Sequence, residues 1–394
     1  MLLHNGSTTF EAPCVLAFYL PQFHPIPEND QWWGKGFTEW SNVSKAKPLF
    51  QGHYQPHLPA DLGFYDLRLP ETRAAQAEMA REHGIDGFCY YHYWFNGRRI
   101  LERPIREILA AGEPKFPFCV CWANENWTRR WDGRDAEVLL EQRYSVQDDI
   151  AHIRSLIPMF EDARYIRVDG KPLFLVYRST AIPDARATTD RWRREAERAG
   201  LPGLYLVRVE SHFECINPLA TGFDAALEFQ PFGLATKAAW LRLKWWHSSK
   251  LRTQPRVFRQ HQMFSYEKLA EAAVDLPNPG YPWIRSVCPS WDNTPRRSVG
   301  GHIFHGSTPA LFEAWVTKLV KQSHQPDTAN VSKSMLFINA WNEWAEGNHL
   351  EPCQRWGLGY LEALRRGLRA AVPVEARSAD SYVWQKGVPA QIAG

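Results

Sequence analysis

The chain has 394 residues and a formal net charge of +3, which gives no global indication of nucleic-acid binding. Its composition, 44% hydrophobic and 23% charged, is that of a globular protein with a large core. No apolar run is long enough to span a membrane, and no secretory signal pattern opens the chain. We therefore expect a soluble, cytoplasmic protein whose scattered cysteines are buried thiols rather than zinc ligands.

Apolar runs recur along the chain with helical segments between them. The helical pattern Glu71–His83 ends before Gly84, and the pattern Thr189–Ala199 ends before Gly200. Continuous apolar runs, rather than alternating ones, are typical of parallel strands that are buried on both faces. The predicted strands are Cys14–Leu20, Gly87–Trp94, Pro117–Trp122, Pro172–Tyr177, Leu204–Val209, Asp224–Phe229, Trp283–Cys288 and Met335–Ala340.

Strand–helix repetition with this strand count predicts an α/β fold, a (β/α)8 TIM barrel with long inserted loops. A doubly wound open sheet is the alternative, but no glycine-rich phosphate-binding motif follows the first strand. We expect a single catalytic domain over residues 1–394, with inserts at about 21–69 and 237–261.

The two inserts have different compositions. The first is rich in Gly, Pro and Trp, and we expect it to form part of the substrate cleft. The second carries seven Lys and Arg residues, no acidic residue, and the indoles of Trp240, Trp245 and Trp246. It is either a surface segment packed on the barrel, a contact with an anionic membrane surface, or a pyrophosphate-binding element.

Polar and aromatic residues lie at the ends of most predicted strands, where a barrel of this type has its active site. Flat rings beside hydrogen-bonding groups fit a sugar, which has an apolar face and a hydroxyl rim. We expect Trp122, Trp127 and Trp341 to stack on sugar rings. The full set of candidate substrate-binding residues is Tyr19, His24, Tyr91, His92, Tyr93, Trp122, Asn124, Glu125, Trp127, Tyr177, Glu228, Trp291, Asp292, Asn293, Trp341 and Asn342.

Several of these residues have a second interpretation. Glu125 either contacts a sugar directly or holds Asn124 or Arg129. His92, among tyrosines, is either a site residue or a packed core histidine. Asp292 and Asn293 either contact a sugar or phosphate or start a turn, where such residues are common.

The segment Ile338–Pro352, INAWNEWAEGNHLEP, ends the last apolar run on two glutamates, Glu343 and Glu346. Chemistry at a glycosidic bond needs a proton donor and a second carboxylate, and two glutamates in different environments supply both. The alternative is a capping or ion-pairing role at the start of a helix. No spacing of His, Cys or Asp residues indicates a metal site, so we expect no metal and no cofactor.

Several long motifs resemble the WbsX-type family of bacterial polysaccharide-biosynthesis proteins across nearly the whole chain. They are AFYLPQFHPIPEND, WWGKGFTEW, HYQPHLPADLGFYDLR, GFCYYHYWFNGRRILERP, WANENWTRRWDG, WDNTPRR and NAWNEWAEGNHLEP. That family is similar to glycoside hydrolase family 99, retaining enzymes that act on α-mannosides. The second likeness rests on the E-W-x-E-G pattern and on the barrel.

The resemblance implies that Glu343 deprotonates the sugar 2-hydroxyl, which then attacks the anomeric carbon to form an anhydro sugar. Glu346 would be the general acid and then the base. Ala345 departs from the bulkier polar residue usual in the hydrolases, which puts their substrate specificity in doubt here.

Three hypotheses follow for function. The first is a glycosyltransferase of O-antigen, lipopolysaccharide or capsule assembly, with a glycan or sugar nucleotide as substrate and peripheral contact with the inner membrane or a lipid-linked glycan. The second is an endo-glycoside hydrolase or transglycosylase acting on α-mannoside-type linkages. The third is a non-catalytic glycan-binding barrel.

Overall fold

The computed structural model of the chain describes residues 13–129, 134–211, 214–240, 260–323 and 335–370, and of residues 134–136 the backbone alone. Eight parallel strands close into a barrel, because the first strand pairs with both the second and the last. The prediction of a (β/α)8 barrel is confirmed.

The barrel strands agree with the predicted apolar runs to within one residue at every end but one: the last strand ends at Ile338, two residues before the predicted Ala340. All are almost fully buried, because side chains on one face fill the barrel and those on the other pack under the helices. In chain order they are β1 (Cys14–Tyr19), β2 (Gly87–Phe95), β3 (Phe118–Trp122), β4 (Lys171–Val176), β5 (Tyr205–Glu210), β6 (Ala225–Glu228), β7 (Trp283–Val287) and β8 (Met335–Ile338).

Helices follow the barrel strands and cover their outer face. The principal ones are Pro70–Glu82, Arg103–Ala111, Val146–Phe160, Ala185–Arg198, Tyr266–Val274, Pro309–Ser323 and Gly359–Ala370. The start of helix Val146–Phe160 is fixed by the Ser145 side chain, which accepts a hydrogen bond from the Asp148 N–H. Between β5 and β6 the described residues form only the 3-10 turn Pro218–Thr221. Within the described ranges, no helix is long and apolar enough to cross a membrane.

Smaller elements build up the loops. Short helices span Pro27–Trp33, Trp40–Lys45 and Thr236–Ala239, and 3-10 turns span Ser179–Ala181 and Trp344–Glu346. Short strands span Arg98–Ile100, Trp127–Arg129, Arg134–Leu140, Arg167–Val168, Gln262–Ser265, Trp291–Asp292, His302–His305, Asn342–Glu343 and Asn348–His349. Most of these short elements lie in the segments that follow barrel strands, so the loops at the carboxyl end of the barrel contain short helices and strands.

The first insert is docked firmly on this end of the barrel. The Trp40 indole donates to the Tyr65 carbonyl oxygen at 2.8 Å, and its ring centroid lies 5.5 Å from that of Trp344. Of the second insert, residues 241–259 lie outside the described ranges. Trp240, at its start, is 59% exposed.

Candidate active site

The mouth of the barrel, at the carboxyl ends of the strands, holds a cleft of about 380 Å³. This lies within the range of about 300–1,000 Å³ that is usual for small-molecule sites. Among the described residues, the segments following every barrel strand except β2 and β5 contribute to its wall, and β2 contributes Tyr91 and Tyr93 from the strand itself. The sequence-predicted residues that line it are Tyr91, Tyr93, Glu125, Trp127, Tyr177, Trp291, Asn293, Glu343 and Glu346.

A tight hairpin after β8 carries both glutamates. Strand Asn342–Glu343 pairs antiparallel with Asn348–His349, and the 3-10 turn Trp344–Glu346 joins them. Gly347 ends this turn with a φ of +56°, and a Cβ there would lie 3.1 Å from backbone atoms of Asp292. Only glycine fits that conformation and that close approach without strain. The hairpin brings Glu343 and Glu346 to the same cleft.

Arg296, which the sequence analysis did not single out, lies between the two carboxyls. Its Nη1 is 2.8 Å from Glu346 Oε1, and its Nη2 is 3.0 Å from Glu343 Oε2. The same Nη2 is 3.0 Å from Glu39 Oε2, and Nε donates to that oxygen at 3.1 Å. One guanidinium therefore pairs with three carboxylates.

Burial at this cluster changes the proton affinity of its members. Burial raises the pKa of Glu343 to about 8; Arg296 opposes the rise, and Glu346 and Glu39 add to it. Burial also raises the pKa of Glu39, although Arg296 opposes it. Burial disfavours the Arg296 cation, but the three carboxylates outweigh this and raise the pKa of the guanidinium well above its ordinary value. Glu343 can thus hold a proton near neutral pH while Arg296 stays charged.

Three tyrosines form the deep wall of the cleft. Burial raises the pKa values of Tyr91, Tyr93 and Tyr177 well above the ordinary value, so all three are neutral phenols at pH 7. The Tyr93 hydroxyl accepts a hydrogen bond from Gln22 Nε2 at 3.2 Å. These hydroxyls are polar groups of the kind that orient a sugar in an otherwise aromatic cleft.

Aromatic rings flank the carboxylates on two sides. Trp127, in the hairpin after β3, packs edge-on against Tyr93 with ring centroids 5.2 Å apart. Trp291, after β7, packs edge-on against Phe232 at 4.8 Å. Trp33, from the first insert, also lines the cleft. The expectation that this insert contributes to the cleft agrees with the positions of Gln22 and Trp33.

Two of the three predicted stacking indoles are core residues instead. Trp122 packs outside the barrel, with its ring centroid 4.5 Å from His152 of helix Val146–Phe160. Trp341 is fully buried and packs on Phe88 at 5.1 Å. The expectation that Trp122 and Trp341 line the cleft is therefore corrected, and of the three only Trp127 lines it.

Other predicted substrate-binding residues also lie away from the cleft. On a strand, neighbouring side chains point to opposite faces, and this explains two of these corrections. Tyr91 and Tyr93 face the cleft, so His92 between them points outward and lies 3.0 Å, Nε2 to Nε2, from His152. Tyr19 points outward too, and its hydroxyl donates to Gln76 at 2.6 Å. His24 is also buried away from the cleft, and burial lowers its pKa to about 4.

Asn124 and Asn342 hold loops together beside the cleft. Asn124 Nδ2 donates to the Arg178 carbonyl oxygen at 2.8 Å, and its Oδ1 accepts from the Arg178 N–H at 2.7 Å. Asn342 makes the same pair of bonds to the backbone of Leu20, at 3.1 and 2.7 Å. Glu125 does line the cleft, and it also pairs with Arg178 Nη1 at 2.9 Å. Glu125 therefore holds Arg178 rather than the expected Asn124 or Arg129, and its contact with a sugar stays a prediction.

Glu228 and Asp292 are likewise buried beside the cleft rather than lining it. Glu228 accepts from Arg285 Nε at 3.0 Å, on the neighbouring strand β7. Asp292 lies 2.5 Å from His53 Nε2 and accepts from the Thr294 N–H at 3.0 Å. The second contact is the turn-starting role that was the alternative for Asp292, whereas its neighbour Asn293 lines the cleft.

Sequence reasoning missed Arg296 and Glu39, although both lie in quoted motifs, WDNTPRR and WWGKGFTEW. A signal did exist, since two carboxylates in an apolar cleft need a cation nearby. Other lining residues that it missed are Gln22, Trp33, Phe229, Phe232, Arg297 and His302. Among the residues the structure describes, no cluster of three or more His, Cys, Asp or Glu residues is arranged to hold a metal ion.

Comparison with known proteins identifies the family. The family model described as glycosyltransferase WbsX matches residues 15–364, a range that includes every residue of the Arg296 cluster. The chain belongs to the WbsX glycosyltransferase family. WxcX proteins from two strains of Xanthomonas campestris pv. campestris, B100 and ATCC 33913, are each 43% identical to it over 369 residues. The match covers 91% of this chain and 50% of each WxcX protein, so the chain spans about half the length of the curated relatives it matches.

Solved structures show the same architecture as this WbsX-family chain. A glycoside hydrolase-like protein has a TM-score of 0.56 and 16% identity, covering 93% of this chain and 97% of that one. The GH99 endo-alpha-mannosidase from Bacteroides thetaiotaomicron has a TM-score of 0.51 and 14% identity, covering 91% and 98%. At such identities the likeness shows the shared barrel fold alone.

The raised pKa of Glu343 predicts a pH-dependent stability. The native state keeps the proton between the ordinary pKa of 4.5 and about 8, where the unfolded chain has released it. The contribution of this group to stability is thus fully present below pH 4.5 and lost as the pH rises through 8. Glu343→Gln, neutral at all pH values, removes this loss. The free energy of unfolding of the variant relative to wild type should increase by at least about 1 kcal/mol from pH 5 to pH 9.

Urea unfolding at both pH values measures this difference. Glu271→Gln, which removes an exposed carboxylate on helix Tyr266–Val274, is the control and should show no such change. A pH-independent difference for Glu343→Gln would show that the Glu343 carboxyl titrates normally.

Proposed function

We propose that the chain is a retaining carbohydrate-active enzyme that transfers a glycosyl group during assembly of a bacterial surface polysaccharide such as O-antigen or capsule. The observation that carries this proposal is the pairing of Glu343 and Glu346 with one guanidinium in an aromatic-lined cleft. Family membership supports the biosynthetic setting, and the barrel shared with an endo-alpha-mannosidase supports glycosidic chemistry. A binding protein without catalysis has no need to keep a buried carboxyl, Glu343, beside a second one at a cost in stability.

In the first step we propose that Glu343 takes the proton of the substrate 2-hydroxyl while that oxygen bonds to the anomeric carbon. The glycosidic oxygen leaves with the proton of Glu346, and an anhydro sugar remains. A base works best when its pKa lies near the working pH, and the pKa of about 8 for Glu343 meets that condition. The internal nucleophile distinguishes this scheme from retaining enzymes in which a carboxylate attacks the sugar.

In the second step Glu346 takes a proton from the incoming acceptor, whose oxygen opens the anhydro ring, and Glu343 returns its proton to O2. A sugar hydroxyl as acceptor gives transfer, and water gives hydrolysis. The alternative function is therefore an endo-glycoside hydrolase or transglycosylase on α-mannoside-type linkages. Ala345, between the two glutamates, is fully buried and does not line the cleft, so it makes no contact that selects a sugar there.

Product analysis tests the function directly. The protein is incubated with candidate nucleotide sugars plus glycan acceptors, and separately with mannan-type glycans, and the products are identified by mass spectrometry. We expect free nucleotide together with a lengthened acceptor. Shortened glycans would instead support the hydrolase, and no product from either set, with binding retained, would support a glycan-binding barrel.

The two glutamates should differ in their response to the leaving group. Glu346→Gln should lose at least about two orders of magnitude in rate on an unactivated substrate, but less on a donor with a good leaving group, because protonation matters less there. Glu343→Gln should impair both, because 2-hydroxyl activation does not depend on the leaving group. Full activity of Glu346→Gln on the unactivated substrate, or a normal rate with a 2-deoxy substrate, would contradict the assignment.

A peripheral membrane contact is a second proposal, supported by the exposed Trp240 at the start of the basic insert. Indoles favour the membrane interface, and each Lys or Arg near an anionic surface adds about 1 kcal/mol. The backbone of Trp240 pairs with that of Phe264 in strand Gln262–Ser265. This strand lies beside strand His302–His305, which begins at the cleft residue His302. Such a contact would bring the cleft to a lipid-linked glycan at the cytoplasmic face.

Co-sedimentation with anionic liposomes measures this contact. We expect binding at low salt and release at high salt, because exposed charges are screened. Replacing Lys244, Lys250, Arg252 and Arg256 with Ser should abolish binding, whereas replacing the exposed Lys318 and Lys321 of helix Pro309–Ser323 should not. A wild-type protein that stays in the supernatant at low salt would contradict the proposal.

A further inference from the structure

Glu39 takes the larger share of the Arg296 guanidinium, although Glu39 does not line the cleft. Both Nε and Nη2 of Arg296 bond to Glu39 Oε2, at 3.1 and 3.0 Å. Glu346 receives only Nη1, and Glu343 shares Nη2 with Glu39. The Nε and Nη2 N–H groups form one edge of the guanidinium, and that edge is turned toward Glu39, with both bonds on the same carboxylate oxygen. Neither candidate catalytic carboxyl has a two-bond pair with the cation.

Glu39 is held in this position by the first insert. Its side chain is 0% exposed, and that of Arg296 is 12% exposed. The Glu39 N–H bonds to the Gln22 carbonyl oxygen, and Trp40 beside it packs on Trp344 of the glutamate hairpin. In such a dry place charge interactions are strong, and the carboxylate cannot turn to solvent instead. The arrangement is therefore built into the packing of the insert on the hairpin.

We propose that Glu39 is a positioning residue, which draws Arg296 away from full pairing with Glu343 and so leaves Glu343 able to accept a proton. The inference rests on the proposed role of Glu343 as the base. If the guanidinium were free to pair with Glu343 by two bonds, the carboxylate would be stabilised and would be a weak base. A third carboxylate outside the cleft prevents this without touching the substrate. The titratable groups that face Glu343 are Arg296, Glu346, Glu39, Tyr91 and Tyr93.

A titration that needs no substrate tests the proposal. The protein is labelled with 13C at the glutamate carboxyls, and the Glu343 signal is assigned by its loss in Glu343→Gln. Glu39→Gln keeps an oxygen that can accept from Arg296 but removes the charge, so Arg296 serves two carboxylates instead of three. We expect the titration midpoint of Glu343 to fall by about one pH unit in Glu39→Gln.

Further variants separate this effect from a general loss of structure. Glu39→Asp keeps the charge and should leave the midpoint closer to that of wild type. Arg296→Gln removes the cation and should move the midpoint in the opposite direction, upward. Glu195→Gln is the matched control, since Glu195 also pairs with two arginines, Arg154 and Arg198, but on an outer helix. It should leave the Glu343 midpoint unchanged.

The outcomes distinguish this inference from the proposed function. An unchanged or higher Glu343 midpoint in a folded Glu39→Gln variant would overturn the role of Glu39. Once a substrate is known, the acidic limb of the kcat/KM profile should shift with the carboxyl midpoint. A midpoint that falls while the limb stays in place would uphold the charge coupling through Arg296 and contradict the assignment of Glu343 as the base.

Discussion

Three carboxylates that share one guanidinium in a nearly dry site impose a strict condition on this protein. A buried charge without a partner costs several kcal/mol, so the cluster is tolerable only when all four groups are in position. The four come from three distant segments: Glu39 from the loop after β1, Arg296 from the loop after β7, and Glu343 and Glu346 from the hairpin after β8. These segments meet because β8 lies between β1 and β7 in the sheet, so the carboxyl ends of the three strands are neighbours.

A layer of buried polar bonds below the cleft fixes the hairpin. Glu351 accepts from Trp344 Nε1 at 2.6 Å and from the Tyr65 hydroxyl at 2.8 Å on the same oxygen. Its other oxygen accepts from Gln76 Nε2 at 2.6 Å, on helix Pro70–Glu82. Burial raises the pKa of Glu351 to about 7. The carboxyl therefore links the hairpin, the first insert and a barrel helix, and this explains why the motif continues as far as NHLEP.

The fold could be predicted from the sequence because most strands are largely apolar runs with helical segments between them. The sequence did not show which side chains face the cleft. A strand that is buried on both faces is apolar throughout, so polar and apolar residues do not alternate along it. Tyr91 and His92 are equally plausible in the sequence, yet one lines the cleft and the other packs under a helix. Glu343 and Glu346 could be found because the motif itself pairs them. The Glu39–Arg296 contact joins residues 257 positions apart, and no local pattern specifies it.

The glutamates and the aromatic residues of the cleft would contribute differently to the choice between glycosyl transfer and hydrolysis. In the proposed mechanism Glu343 and Glu346 make the same proton transfers whether the acceptor is water or a sugar hydroxyl, so they cannot select between the two. Under this proposal, selection would fall to the aromatic residues of the cleft wall, Trp33, Trp127, Phe232 and Trp291. A sugar acceptor stacked on such a wall is held beside the reacting carbon, whereas water gains nothing from an indole face. A donor and an acceptor sugar that stack on these rings at the same time would meet the requirement of the proposed glycosyl transfer.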